Sequence, residues 1–283
     1  MNVRRASFAG SWYPDIPEAC EREIKQFLGG KEGLEIPKGP WVGGIVPHAG
    51  WYFSGAIACQ VIHALKAGTP PDLFILFGMH LHPASPNYIM TEGSWETPFG
   101  ELVIETELAR SLAERFPFRI ETAQSYAEDN TIELQLPFIK YFFPKARIVP
   151  MGLPPKKTSL EIGKAAAEIS SDLGLSAKVV GSTDLTHYGY NYGFIPEGTG
   201  ASAVKWVRNE NDRKVIEAML AMNPTGVIAE ALENQNACCS GAAAAAMAAG
   251  KVLGATSATQ TAYATSYDKS PGDSFVGYVG IVF

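Results

Sequence analysis

Short apolar runs closed by turn residues constrain this chain more than any other feature. Residues 41–46 (WVGGIV) stop at Pro47, 73–77 (LFILF) at Gly78, 147–151 (RIVPM) at Gly152, and 178–180 (KVV) at Gly181. A further run, 275–283 (FVGYVGIVF), ends the sequence. Runs this short, with no polar alternation, suit strands buried on both faces. Helical patterns fall between them, over 16–28, 55–67, 107–115, 130–142, 159–173, 212–222 and 241–249. Alternating strands and helices predict a three-layer α/β domain around a mostly parallel sheet. Residues 101–105 (ELVIE) alternate polar and apolar and predict an antiparallel edge strand, so the sheet is expected to be mixed. The alanine stretch from Ala242 to Ala249, stopped by Gly250, predicts a buried and tightly packed helix.

No internal repeat, heptad run or Pro/Ser-rich linker divides the 283 residues, so one domain over 1–283 is expected. Hydrophobic residues are 46% of the chain and charged residues 18%, enough for a large core and less solvated face than usual. The net charge is -6 and no basic run stands out, which argues against nucleic acid and anionic membranes as partners. No apolar run reaches the roughly 18–20 residues of a membrane helix. Residues 1–13 carry no hydrophobic segment of a secretory signal, so a cytoplasmic location is expected. Four cysteines do not make a disulfide framework in a chain of this length. Cys20 and Cys59 stand alone. Cys238 and Cys239 are adjacent, and in a reducing compartment the question is whether one is a ligand or a nucleophile.

Ligands of open α/β sheets bind outside the carboxyl ends of the strands. His48 follows the first run by two residues, His80 the second by three, and Asp184 and His187 the fourth by four and seven. Three strands thus deliver metal-capable or titratable side chains to equivalent positions. The small-residue turn Pro47-His48-Ala49-Gly50 lets backbone approach a ligand closely; its bland alternative is a histidine that caps the helix starting near Ser54. His80 and His82 are two apart and point to opposite sides of an extended chain, and His80, nearer the strand end, is preferred. His63, flanked by Ile62, Ala64 and Leu65, reads as structural. Asp184 and His187 share one face if their segment is a helical turn; the alternative is an N-cap aspartate before a polar helix start. An imidazole changes charge between about pH 5 and 8, which makes His187 a candidate general acid/base. Cys238 and Cys239 precede the alanine-rich helix, where the dipole favours the thiolate that binds metal; a buried hydrophobe is the plain alternative, and position alone does not choose between them. Residues 128–133 read as a capped helix start, and 266–273 (SYDKSPGD) as a surface loop.

In order along the chain, RASFAGSWYP, the PHAG turn with WYFSG, GMH, TPFGEL, the TIELQLPF helix, STDLTHYG, ACCSG and YATSYDKSPGDSFVGY resemble the MEMO family, also called AmmeMemoRadiSam system protein B. The resemblance spans essentially the whole chain. It implies a class III extradiol dioxygenase-like fold, one α/β domain with a metal cleft at the strand ends. It implies metal ligands at His48, His80 and Cys238, with Asp184 and His187 as a second pair lining the cleft. It also implies iron or copper, redox biology, and company with a radical-SAM protein and an AMMECR-type protein. Cys238 matches the family's cysteine, while Cys239 replaces its glycine. Asn130 stands where the family usually has a histidine, and an amide does not titrate near neutrality. Ala242 replaces a usual proline.

Two imidazoles, an anionic ligand and open positions describe non-haem Fe(II) oxygenases, and a thiolate as the third ligand shifts preference toward zinc, copper(I) or a more covalent iron site. The leading expectation is therefore a metal-dependent redox protein, with Fe(II) as cofactor and copper or zinc as alternatives. His187 would be its acid/base, and Asp184 an orienting group or further ligand. A second reading is a non-enzymatic scaffold that binds a small molecule or peptide in the cleft, with Trp51, Tyr52, Tyr188, Tyr190 and Tyr192 lining it. A third is a zinc-dependent hydrolase, since two His, a Cys and a water form a known catalytic zinc set.

Overall fold

The structure, a computed structural model, describes residues 2–29 and 39–283. In chain order the strands are β1 (Val3–Arg4), β2 (Gly43–Val46), β3 (Leu73–Gly78), β4 (Asn87–Met90), β5 (Ser94–Trp95), β6 (Leu102–Val103), β7 (Phe118–Glu121), β8 (Arg147–Gly152), β9 (Ala177–Ser182), β10 (His187–Tyr188), β11 (Thr259–Thr265) and β12 (Phe275–Val282). Nine of them form one sheet in the order β10-β12-β2-β9-β3-β8-β4-β7, with β11 paired to β12. Its centre, β2-β9-β3-β8, is parallel. β12 runs antiparallel to β2 and β4 antiparallel to β8, so the sheet is mixed, as expected. Each of the five apolar runs overlaps one of these strands, and three of the five strands are buried along their whole length. β8 and β9 are buried except at their first residues, leaving β2, β3 and β12 fully buried.

Side-chain alternation puts helices on both faces. Gly44 and Val180 are partners across the parallel pair β2–β9, so their side chains share a face, and Gly181 points to the other. A Cβ on Gly44 would meet Val61 of the helix Ala56–Ala64, and a Cβ on Gly181 would meet Ala246 of the helix Ser240–Val252. The alanine-rich helix is buried from Ser240 to Gly250. It is wedged between the sheet and the helix Lys157–Asp172, whose Gly163 lies against the Ala245 carbonyl.

Several elements differ from the expectation. The strand 101–105 shrinks to β6, antiparallel to β5 but in a separate three-stranded sheet with β1. The single helix over 130–142 is broken into Asn130–Glu133 and Leu136–Phe142. Pro137 opens the second piece, where its missing N–H leaves no helical bond unmade. The helix over 55–67 starts with a π turn, Trp51–Gly55, and ends at Ala64. The segment after β9 is not a helical turn: it leads into β10, and the N-cap reading of Asp184 falls with it. The helix Pro224–Asn234, begun by a proline in its first turn and capped by Asn223, had no counterpart in the apolar pattern.

A buried carboxylate ties β10 to the helix Asp212–Leu220 that follows it in the chain. Asp212 accepts from Thr186 N (3.0 Å), Thr186 Oγ1 (2.5 Å) and Tyr263 Oη (2.7 Å). Burial pushes its carboxyl up to about 6, against the pull of those hydrogen bonds. The folded chain therefore holds this proton more tightly than the unfolded chain. The stability it contributes is complete below the unfolded value of 3.8 and is lost as pH rises through about 6. Between pH of about 7 and 5, the urea midpoint of the wild type is expected to rise relative to that of Asp212→Asn. A relative fall would contradict this.

Candidate metal centre

β2, β3 and β9 run parallel, so their carboxyl ends lie along one edge of the sheet. Each supplies part of the centre. After β3 the chain must turn sharply. Met79 does so in the left-handed region (φ 71°), where a non-glycine residue is uncommon, and its N–H donates to Thr131 Oγ1 (2.7 Å). The turn delivers His80 beside His48, with the two Nε2 atoms 3.2 Å apart. Cys238 Sγ lies 3.2 Å from His48 Nε2. It is held there by exchange with Asp184 at the end of β9: Cys238 N–H donates to Asp184 O (3.1 Å), and Asp184 N–H to Cys238 Sγ (3.3 Å). Ligand atoms of His48, His80, Cys238 and Cys239 all lie within 4.8 Å of one another, a His/Cys group that could hold a metal ion.

The tautomers follow from the outer hydrogen bonds. Ser182 Oγ donates to Thr131 O (2.7 Å), so it receives from His48 Nδ1 (2.9 Å). His80 Nδ1 faces Asp129 Oδ2 (3.2 Å), an acceptor only when ionised. Both imidazoles therefore carry hydrogen on Nδ1 and turn Nε2 lone pairs toward each other and toward a sulfur. That juxtaposition is repulsive unless a proton or a metal ion lies among the three, so the donor set fits a metal ion in place of the proton that His80 otherwise holds. Charge follows the same logic. Burial opposes a charged His80, but the hydrogen bonds with Asp129 and Cys238 win and raise its imidazole to about 10. Burial likewise opposes the Cys238 thiolate, yet the Cys239 hydrogen bond and the His48 charge hold the thiol well below its ordinary value. Asp129 drops to about 2, since its bonds to His80 and Thr131 outweigh its burial.

Asp184 is buried; its Oδ1 accepts from His48 N (2.7 Å) and its Oδ2 lies 3.9 Å from His48 Nε2. Burial pushes its carboxyl up, opposed by His48. His187 donates from Nδ1 to Leu185 O (3.1 Å), which leaves its Nε2 free, and its ring packs on Tyr192. His48, His80, Asp184, His187 and Asn130 all line one cleft of about 540 Å³, a size typical of ligand pockets. Asn130 donates to His48 O (2.8 Å).

His82 lies outside the group, its Nδ1 accepting from Ala84 N. His63 packs on Phe142, in keeping with a structural part. Of the five aromatics expected in the cleft, only Tyr52 and Tyr192 line it. Trp51 is buried with Nε1 on Leu134 O, Tyr188 is buried in its own cluster, and Tyr190 is not among the lining residues. Trp12, Phe53 and Tyr278 line it instead. The 266–273 loop is part of the wall: Ser266 and Ser270 face the cleft, with Ser274 just beyond. Asp129, read as a helix cap, also orients His80. Asp129→Asn is expected to weaken metal binding on the order of 10–100-fold. Competition against a chelator measures it, and an unchanged affinity would contradict the orienting role.

The class is thus a mixed α/β protein with a His/Cys group, able to hold a metal ion, where the parallel strands of its sheet end. The family model described as Memo-like protein matches residues 4–282. A MEMO1 family protein of Pyrococcus furiosus is 33% identical over 99% of this chain and 98% of its own length. Those of Methanopyrus kandleri and Methanosarcina acetivorans are each 34% identical, over 99% and 100% of this chain and 98% and 99% of their own. This chain belongs to the MEMO family. Among solved structures, that of an uncharacterized protein, JW3007, from Escherichia coli K12 is similar in fold (TM-score 0.52), at 10% identity over 85% of this chain and 98% of that one.

Proposed function

We propose that this chain is a mononuclear metal protein whose ion binds His48, His80 and Cys238 at the floor of the cleft and serves a reaction on a small molecule held above it. The observation that carries this reading is the pair of Nε2 atoms 3.2 Å apart with a sulfur 3.2 Å from one of them. A bound Fe(II) would supply redox chemistry with oxygen, copper a related route, and Zn(II) the activation of a water. Iron is the first metal to test, in keeping with two imidazoles and one anionic ligand.

The chain's own residues would do the rest. His187 accepts a proton from the substrate at Nε2, its orientation held by Leu185 O. Asp184 fixes the His48 backbone and, close to the His48 and His187 imidazoles, stabilises positive charge. Asn130 holds the His48 carbonyl and cannot share the proton work. A scaffold reading finds its support in the exposed Trp12 and Tyr52 at the cleft, which suit a peptide. A cytoplasmic setting and a functional link to a radical-SAM protein and an AMMECR-type protein belong to the proposal through the family. Among the described residues no helix is long and apolar enough to cross a membrane.

Anaerobically purified protein is expected to carry one metal ion per chain, and the iron form to consume oxygen with a catechol-type substrate. Protein without stoichiometric metal would favour the scaffold instead.

A further inference from the structure

Cys239 plays no part in the ligand set above, yet its sulfur lies 3.6 Å from Cys238 Sγ and within 4.8 Å of the imidazole ligand atoms. We propose, resting on the metal-centre reading, that Cys239 is a fourth, thiolate ligand, so that this chain offers two imidazoles and two thiolates to one ion. Side chains of successive residues diverge on an extended chain. Here the turn at Cys239 (φ -124°, ψ 49°) ahead of the helix Ser240–Val252 brings both sulfurs together. Both residues are tied to the end of β9, Cys238 N–H to Asp184 O (3.1 Å) and Cys239 N–H to Thr183 Oγ1 (3.0 Å).

The spacing suits a shared ion. A tetrahedral ion with bonds of roughly 2.0–2.1 Å to nitrogen and 2.3 Å to sulfur has ligand–ligand edges of about 3.3–3.8 Å. Three of the edges in the structure are 3.2 Å between the imidazoles, 3.2 Å from His48 to Cys238 and 3.6 Å between the sulfurs, and the others lie within 4.8 Å. Cys239 approaches from the core: it is 2% exposed, and neither cysteine is among the cleft-lining residues, whereas both histidines are. A ligand on that side completes the shell of a tetrahedral ion and leaves the cleft side open for one of higher coordination. A second thiolate makes the set softer, which favours Zn(II) or Cu(I) relative to the same site with glycine. The competing role for Cys239 is an S–H donor to a Cys238 thiolate that alone reaches the ion.

Cobalt(II) separates the two roles. It is titrated into metal-free full-length protein, following sulfur-to-cobalt charge transfer, proton release and affinity by chelator competition. Glycine is well tolerated at an N-cap, so Cys239→Gly is expected to fold, with circular dichroism of the metal-free protein as the check. It is expected to keep one cobalt per chain, to drop from the two-thiolate to the one-thiolate charge-transfer level, and to release one proton fewer. Its affinity is expected to fall on the order of 100-fold or more, beyond the 10- to 100-fold loss typical of an outer partner. Wild-type charge-transfer intensity in Cys239→Gly would overturn the fourth ligand while leaving the centre standing. Wild-type spectra in both His48→Ala and Cys238→Ala would instead overturn the metal-centre reading itself.

Discussion

His48→Ala is expected to purify without its metal and to retain its fold. His48 is the hub of the donor set: its Nε2 lies 3.2 Å from both His80 Nε2 and Cys238 Sγ. Its backbone N–H on Asp184 and its carbonyl on Asn130 survive the substitution, so the turn after β2 should too. Ser182 keeps its own hydrogen bond to Thr131 O, and no buried hydroxyl is stranded. Removing a direct ligand should weaken binding by at least 100-fold, or about 2.7 kcal/mol, more than an outer partner costs. The metal-free variant should unfold within about 1 kcal/mol of metal-free wild type, since the imidazole was held by one outer hydrogen bond. Metal analysis beside a urea titration checks both halves. Retained metal would contradict the ligand role, and a collapse in stability would mean that the histidine is structural.

Gly163→Val is expected to destabilise the chain by about 3 kcal/mol or more, the upper end for overpacking a core. A Cβ at Gly163 would overlap the Ala245 carbonyl, which is backbone and cannot rotate away. The helix Ser240–Val252 cannot retreat, because Gly181 of β9 lies against its opposite side at Ala242, Ala243 and Ala246. The strain should also reach the metal centre, since Cys238 and Cys239 immediately precede that helix. Gly272→Ala, with nothing within 4 Å of the added atom, is the control and should stay within about 0.5 kcal/mol. A Gly163→Val midpoint equal to that control would show that the two helices can part.

The parts of the site legible in the sequence sit where parallel strands end. His48, His80 and Asp184 follow β2, β3 and β9, and counting residues past each apolar run is enough to group them. What lay hidden came from elements whose placement needs tertiary pairing. β12 is antiparallel to β2, so its beginning reaches the same edge and brings Ser274 and Val276 into the cleft wall. No rule about carboxyl ends finds those residues. Asp129 read as part of a capped helix start and Ser182 stood just past the turn at Gly181, because their contacts with His80 and His48 span 49 and 134 positions. Aromatic residues near the motifs were a poor guide, since Trp51 stacks on Phe138 and Tyr188 on Phe275 inside the protein. Small residues carried more: the alanine run foretold a buried helix, and only the fold reveals the close approach at Gly163 that requires it.

The most direct test is a crystal of the metal-loaded protein, with anomalous scattering recorded on both sides of the absorption edge of the bound metal. An anomalous peak within bonding distance of His48 Nε2, His80 Nε2 and Cys238 Sγ is the expected result. A fully occupied peak elsewhere, with these three side chains free of metal, would contradict the metal centre proposed here.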